Sequence, residues 1–380
     1  MHTNMSGTTE GSTYPSDNNT QDTLTQNASS SNPQDTNSEK SKIYEGVLLG
    51  LGNPLLDMTI TTDEAFLEKY DLKANDAIIA EKKHEAMFEE ITERYKPMFV
   101  AGGATQNTMR VAQWLLGVPK SVTFVGCVGK DAMGSVLKET AENVGVGVHY
   151  QIHESKNTGK CGAIITGENR SLVTSLGAAR SFTHNFINEH WELIERAKFF
   201  YIGGFVFPVS AESIKEVAEH ACDTDKTLIM NLSAPFLCEY FADPDIGIMQ
   251  YIDILFGNET EAAKFCGLQG IKADTIQEMA LKTAALPKKN TGRERIVIFT
   301  QGRDPTIIAT DGRITEHPIC PIEKDLIKDT NGCGDAFVGG FLSQLVQGAS
   351  LDECLRCGNY AARTVIQYFG CTYPSKPDFK

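Results

Sequence analysis

From Tyr44 onward one pattern recurs along the chain: a short apolar run, a turn rich in glycine or asparagine, then a stretch with helical spacing. The runs are residues 46–52 (GVLLGLG), 121–129 (SVTFVGCVG), 198–204, 227–233, 252–257 and 295–302. Apolar side chains at successive positions need cover on both faces of a strand, as in a parallel sheet clad with helices. Helical spacing occurs over 105–116 (Met109, Ala112, Leu116), 132–144, 211–221, 260–265 and 275–286. Strand, helix, strand repetition of this kind predicts an α/β fold with a doubly wound, mostly parallel sheet. In such sheets ligands gather at the carboxyl ends of the strands.

Two regions depart from the pattern. Residues 55–80 and 147–176 contain short alternating runs at 56–61, 77–80, 148–153, 161–166 and 171–176. Alternation suits a sheet with one wet face. The two regions are expected to pair into a small β-sheet lid on the α/β body. Residues 1–42 differ again: twenty-five of them are Ser, Thr, Asn or Gln. Such a segment cannot bury enough apolar surface to offset its conformational entropy, so it reads as a disordered N-terminal tail ahead of one domain at 43–380.

Charge and cysteine content narrow the function. The net charge of −14 disfavours a nucleic-acid partner. No apolar run approaches the ~18 residues of a membrane span. No basic start followed by an apolar stretch is present, so no secretory signal is expected. The ten cysteines read as reduced thiols of a cytoplasmic protein, nuclear residence remaining open. Cys354 and Cys357 form one C-x-x-C inside a helical pattern, without a second pair or a histidine at ligand spacing, a poor basis for a metal site.

The segment with most chemistry is Asp329-Thr-Asn-Gly-Cys-Gly-Asp-Ala-Phe-Val-Gly-Gly340. Helical spacing begins near Gly334, with Phe337, Phe341 and Leu345. A glycine turn at a helix start presents bare N–H groups and the positive end of the helix dipole, a nest for an anion. Asp335 lies in the first turn, where a carboxylate would repel a phosphate unless it were needed to take a proton from an attacking hydroxyl. A capped helix with glycines for close packing is the plain structural reading of the same residues. Neither G-x-x-x-x-G-K-[ST] nor a strand-linked G-x-G-x-x-G occurs, so P-loop and Rossmann sites lose their main support.

Five further strings follow or end apolar runs: Gly52-Asn-Pro-Leu-Leu-Asp57, Gly102-Gly-Ala-Thr-Gln-Asn107, Asn231-Leu-Ser-Ala-Pro-Phe236, Asn258-Glu-Thr-Glu261 and Phe299-Thr-Gln-Gly-Arg303. In this order, with the glycine run, they resemble the PfkB (ribokinase-like) sugar and nucleoside kinases, from Tyr44 to the C-terminus. The wording is nearest to members acting on adenosine. The resemblance implies transfer of the γ-phosphoryl of ATP to the adenosine 5′-hydroxyl, giving AMP and ADP in purine salvage. It implies Asp335 as general base and Gly332, Cys333 and Gly334 as the anion hole, with Arg170 reaching the transferring phosphate. Asp57 would take the ribose diol, helped by Asn53, Gly103, Asn107 and Asn331. Leu55, Cys161, Leu172, Leu176, Phe205 and Phe236 would line an apolar slot for adenine. Asn258, Thr300 and Gly302, with Gly332 and Gly334, would contact ATP, and Glu261 would position Mg²⁺ through water. A monovalent cation is a further option, and a monomer is expected.

Cys333 departs from the alanine usual in this family at that position. A backbone N–H is the active group there, so the change should be tolerated; a helix N-terminus could also lower the thiol pKa. Two alternatives stand beside the adenosine reading: a kinase for another nucleoside or sugar, and a non-catalytic nucleoside-binding protein on the same fold.

Overall fold

The computed structural model describes residues 43–380 except Asn75 and Glu168, so the reading of residues 1–42 as a tail lies outside the described residues. A nine-stranded sheet forms the body. Seven strands run parallel: β1 (Leu48–Leu51), β5 (Val122–Gly129), β6 (Gly147–His153), β9 (Phe199–Gly203), β10 (Thr227–Asn231), β11 (Ile254–Asn258) and β12 (Ile296–Gln301). An antiparallel hairpin, β13 (Asp304–Thr310) and β14 (Arg313–His317), completes the order β14-β13-β12-β11-β10-β9-β1-β5-β6. The five-stranded second sheet has the order β3-β8-β7-β2-β4, from β2 (Leu55–Thr61), β3 (Ala77–Ile79), β4 (Met98–Gly102), β7 (Gly159–Thr166) and β8 (Asn169–Ser175).

Period-2 geometry sends neighbouring side chains of one body strand into opposite layers. On β9, Phe200 and Ile202 join one apolar cluster with Leu49, Met230 and Phe299, whereas Phe199 and Tyr201 join the other with Leu48, Phe124, Phe256 and Phe341. Helices cover both faces, as the unbroken apolar runs required. The small sheet has its own core of Met58, Ile60, Phe66, Met87, Phe88, Ile91, Ile164 and Val173.

Residues 147–153 do not belong to the small sheet. They form β6, the outermost parallel strand of the body, paired Val148 with Phe124 and Gln151 with Cys127. An edge strand is only half-covered, and alternation reflects that exposure rather than the sheet it joins. The small sheet instead takes β4, whose residues 98–102 carried no separate strand signal in the sequence; its first two residues, Met98 and Phe99, are exposed.

The helix Cys333–Leu345 is wedged between the helices Ala104–Leu116 and Leu351–Val365. A side chain at Gly339 would start 2.7 Å from Thr108 O, and one at Gly340 would start 2.5 Å from Cys357 O. This close packing fixes the glycine turn at the helix start. All ten cysteines are free thiols, Cys354 and Cys357 buried within the helix Leu351–Val365.

Candidate active site

The turn before the helix Cys333–Leu345 meets the small sheet through Asn331 with Asp57 and through Asp329 with Arg170. Gly332 precedes the helix Cys333–Leu345 with φ +76, a left-handed conformation that glycine adopts without penalty. Asp335 stands in the first turn of this helix, where Cys333 N donates back to Thr330 O at 3.4 Å and Ala336 N to Gly332 O at 2.8 Å. Asn107, in the first turn of the helix Ala104–Leu116, donates its Nδ2 to Asp335 Oδ2 at 3.0 Å. Burial pushes the Asp335 carboxyl up to about 6, against the Asn107 hydrogen bond and the Arg170 charge. The positive end of the helix dipole favours the ionised form, and burial outweighs it.

The second carboxylate comes from the small sheet. Asp57 on β2 is 5% exposed and pairs in register with Cys161 on β7 and Val100 on β4. Asn331, from the turn before the glycine nest, donates Nδ2 to Asp57 Oδ2 at 3.3 Å. Burial first and the charge of Asp335 second raise the Asp57 carboxyl to about 7. A Cβ at Gly102 would lie 2.3 Å from the Asp57 carboxylate, so that position must be glycine for the carboxylate to sit where it does. Thr174 donates to Cys161 Sγ at 3.4 Å, and burial with the Asp57 charge raises the Cys161 thiol to about 12.

Arg170 reaches from β8 to the turn below the nest. Its Nη1 meets Asp329 Oδ1 at 2.7 Å and Thr330 Oγ1 at 3.2 Å. Asp329 also accepts from Asn331 N and Gly370 N, both at 2.8 Å. It thereby joins the small sheet, the anion-nest turn and the C-terminal segment. Sequence reasoning gave Asp329 no role; its place at the head of the glycine motif was the only available signal.

The expected apolar slot residues fall into two groups. Leu55 and Leu176 both crowd Gly159, where a Cβ would lie 2.6 Å from Leu55 Cδ2 and 2.5 Å from Leu176 O. Phe205 and Phe236 approach edge to face at 6.3 Å, and Asn53 Nδ2 donates to Phe205 O at 2.8 Å. Phe236 is 37% exposed, open to a planar ligand. Leu172, half-buried, shares a face of β8 with Arg170 and Thr174. Gly103, at φ +90, caps the helix that carries Asn107.

Asn258 and Thr300 are register partners at the carboxyl ends of β11 and β12, with Gly302 in the following turn. Asn258 caps the helix Glu259–Leu268 in a reciprocal box with Glu261: Asn258 N and Nδ2 donate to the Glu261 carboxylate at 3.0 and 2.9 Å. Burial raises Glu261 to about 7. Among the described residues no cluster of three acidic, histidine or cysteine side chains forms a metal cage. Mg²⁺ keeps several of its waters, so the single buried carboxylate of Glu261 would suit a cation held through water and substrate phosphates.

The Cys333 thiol behaves opposite to expectation. Burial pushes it up to about 12, so it stays protonated at neutral pH despite its place at a helix start.

Comparison with known proteins gives the family and the fold. The sequence profile of the pfkB family carbohydrate kinases matches residues 64–378. Adenosine kinase 1 of Arabidopsis thaliana is 48% identical over 338 residues, spanning 88% of this chain and 98% of the relative. Adenosine kinase of Saccharomyces cerevisiae is 40% identical, spanning 87% of this chain and 97% of the relative. The crystal structure of Anopheles gambiae adenosine kinase in complex with P1,P4-di(adenosine-5) tetraphosphate superposes with a TM-score of 0.86 at 43% identity, over 88% of this chain and 100% of that one. The chain belongs to the pfkB family of carbohydrate kinases and has the ribokinase-like α/β fold of the adenosine kinase structures.

Proposed function

We propose that this chain transfers the γ-phosphoryl of ATP to the 5′-hydroxyl of adenosine, yielding AMP and ADP. The observation that carries the reading is the meeting of two buried carboxylates, Asp57 from the small sheet and Asp335 from the body, beside one glycine nest. Relatives named adenosine kinase, at 48% and 40% identity, support it.

The chemistry divides between the two sheets. Asp57 accepts hydrogen bonds from the vicinal ribose hydroxyls, with Asn53, Gly103, Asn107 and Asn331 around the sugar, and charge-assisted bonds of this kind are the strong ones. Leu55, Cys161, Leu172, Leu176, Phe205 and Phe236 receive the purine. The 5′-hydroxyl then lies near Asp335, which takes its proton as the new O–P bond forms. The bond from the γ-phosphorus to the bridging oxygen breaks, and ADP leaves with that electron pair. Gly332, Cys333 and Gly334 offer N–H groups to the charge on the transferring group. Arg170 exchanges Asp329 for the phosphoryl oxygens. Asn258, Thr300 and Gly302 hold the nucleotide. Glu261 would hold Mg²⁺ through water, and the ion would supply neutralisation of phosphate charge. Closure of the small sheet excludes water that would compete as acceptor. The enzyme acts as a monomer in the cytoplasm on this reading; among the described residues no helix is long and apolar enough to cross a membrane.

A coupled ADP-release assay with adenosine, guanosine, inosine and ribose tests the proposal. Adenosine should have the highest kcat/KM. A preference for ribose or another nucleoside, or adenosine binding without turnover, would overturn it.

A further inference from the structure

A general base must be aimed as well as ionised, and the helix that carries Asp335 secures neither alone. The side chain stands in the first turn, where the dipole favours its charge, yet burial raises the carboxyl. What fixes it comes from 228 residues earlier: Asn107 Nδ2 donates to Asp335 Oδ2 at 3.0 Å. Among the described residues no other side chain hydrogen-bonds to this carboxylate.

Asn107 is itself rigidly held. It is 3% exposed, and its backbone N–H donates to Gly103 O at 2.9 Å. The helix bearing it is clamped against the Asp335 helix at Gly339. Its Oδ1 is buried without a hydrogen-bond partner in the protein. A buried carbonyl left without a donor is costly, and this one is free to accept from a hydroxyl of the acceptor substrate. One amide thus faces the base with its donor and keeps its acceptor unused.

We propose that Asn107 is the positioning residue for the base: its N–H fixes one oxygen of Asp335, leaving the other oxygen to take the acceptor proton. This rests on the assignment of Asp335 as base. It differs from a role in sugar binding alone, which would act on adenosine affinity and leave proton transfer untouched. The other groups facing Asp335 are Asp57 on β2, Arg170 on β8, Tyr201 on β9, Cys371 in the C-terminal segment and Cys333 on its own helix. Arg170 favours the charged form of Asp335 through space, whereas Asn107 does so through a hydrogen bond.

The test is the pH dependence of kcat at saturating adenosine and MgATP for wild type, N107A and N107D, with D335N alongside. Losing a hydrogen bond to a charged group should move the acidic limb upward by ~1 to 2 pH units in N107A. Turnover at pH 6 should then fall about tenfold or more and recover toward the wild-type plateau at high pH. N107D places a like charge against the base and should move the limb further. Adenosine affinity by calorimetry and melting temperature on the same preparations establish that each variant is folded. An acidic limb unmoved in both variants, with losses confined to KM or to stability, would overturn the proposal while D335N remains inactive. Should D335N retain turnover, the base assignment fails and this inference fails with it.

Discussion

The two sheets meet water and ligand in different ways. The body sheet is apolar on both faces: on β9, Phe200 and Ile202 are buried in one layer and Phe199 and Tyr201 in the other. The small sheet packs its apolar face on Phe66, Met87, Phe88 and Ile91. Its other face presents Asp57, Cys161, Thr174 and Arg170 toward the body. A sheet covered on both sides has little freedom to rearrange, so the body can hold backbone N–H groups in a fixed nest. A sheet with one polar face completes its contacts only against a partner or a ligand. On the proposed function the labour would divide accordingly: the body would supply charge stabilisation and the base, and the small sheet would supply grip on the sugar.

The largest expected effect tests that division directly. Asp335→Asn keeps shape and hydrogen-bonding capacity but cannot take a proton. It should lower kcat by ~10² to 10⁴ while adenosine affinity by calorimetry stays within a few-fold. Turnover within tenfold of wild type would place the proton chemistry elsewhere.

Core truncations should separate the sheets by where stability is lost. Phe341 in the body is fully buried and meets Phe256 edge to face at 5.2 Å. Phe88 under the small sheet is 2% exposed, with Lys160 Nζ 4.5 Å from its ring centroid. Each change to alanine should cost about 3–5 kcal/mol at its site. Phe341→Ala should lower the global melting transition. Phe88→Ala should instead speed hydrogen exchange in β2, β7 and β8 and leave β1 and β9 protected. Equal loss of protection in both sheets after Phe88→Ala would show one cooperative unit and dissolve the contrast.

Next in size is the grip on the sugar. Asp57→Ala should weaken adenosine binding by about 1.5–3 kcal/mol, the scale of a hydrogen bond to a charged group. On the unaltered protein 2′-deoxyadenosine should have a clearly lower kcat/KM than adenosine. Equal values for the two nucleosides would remove Asp57 from the diol.

The same contrast explains what could be read in the sequence. Body strands are unbroken apolar runs, and the helix over residues 132–144 is found as Ala132–Val144 because Asp131 caps it and Gly145 ends it. The glycine nest was legible because Gly332 needs its conformation locally. Residues 147–153 misled because an edge strand alternates whichever sheet it joins. Asp329 was invisible because its partners, Arg170 and Gly370 N, are distant in the chain and meet only in the fold. The pKa directions of Asp335 and Cys333 were illegible for a related reason. A sequence displays the helix start that favours an anion, but burial, which here opposes it, is set by surrounding elements.

The smallest effect concerns pH, and its sign should reverse between two aspartates. Asp131 caps the helix Ala132–Val144 by accepting from Gly134 N at 2.8 Å. It also accepts from Thr158 N at 2.7 Å and Thr158 Oγ1 at 2.6 Å, just before β7 enters the small sheet. Burial opposes its charge, yet the Thr158 and Gly134 bonds hold its carboxyl below the usual value. The unfolded chain then binds the proton first as pH falls, so this contribution is full above the ordinary carboxylate range and lost through the lower folded pKa. Asp131→Ala should cost ~0.5 to 2 kcal/mol at pH 7, the range of a helix cap, and progressively less under acid. Asp57 is the opposite case, raised to about 7 chiefly by burial. Its folded form holds the proton longer than the unfolded chain, so its contribution to stability declines as pH rises from about 4 to about 7. Asp57→Asn should therefore raise the melting temperature at pH 8 more than at pH 4, even as adenosine binding is lost. Melting curves of the two variants and the unaltered protein from about pH 2 to about pH 8 decide the matter, the acid end reading Asp131 and the interval from about 4 to about 8 reading Asp57. If the two stability differences changed in the same direction with pH, the assignment of one strained and one well-held carboxylate would be wrong.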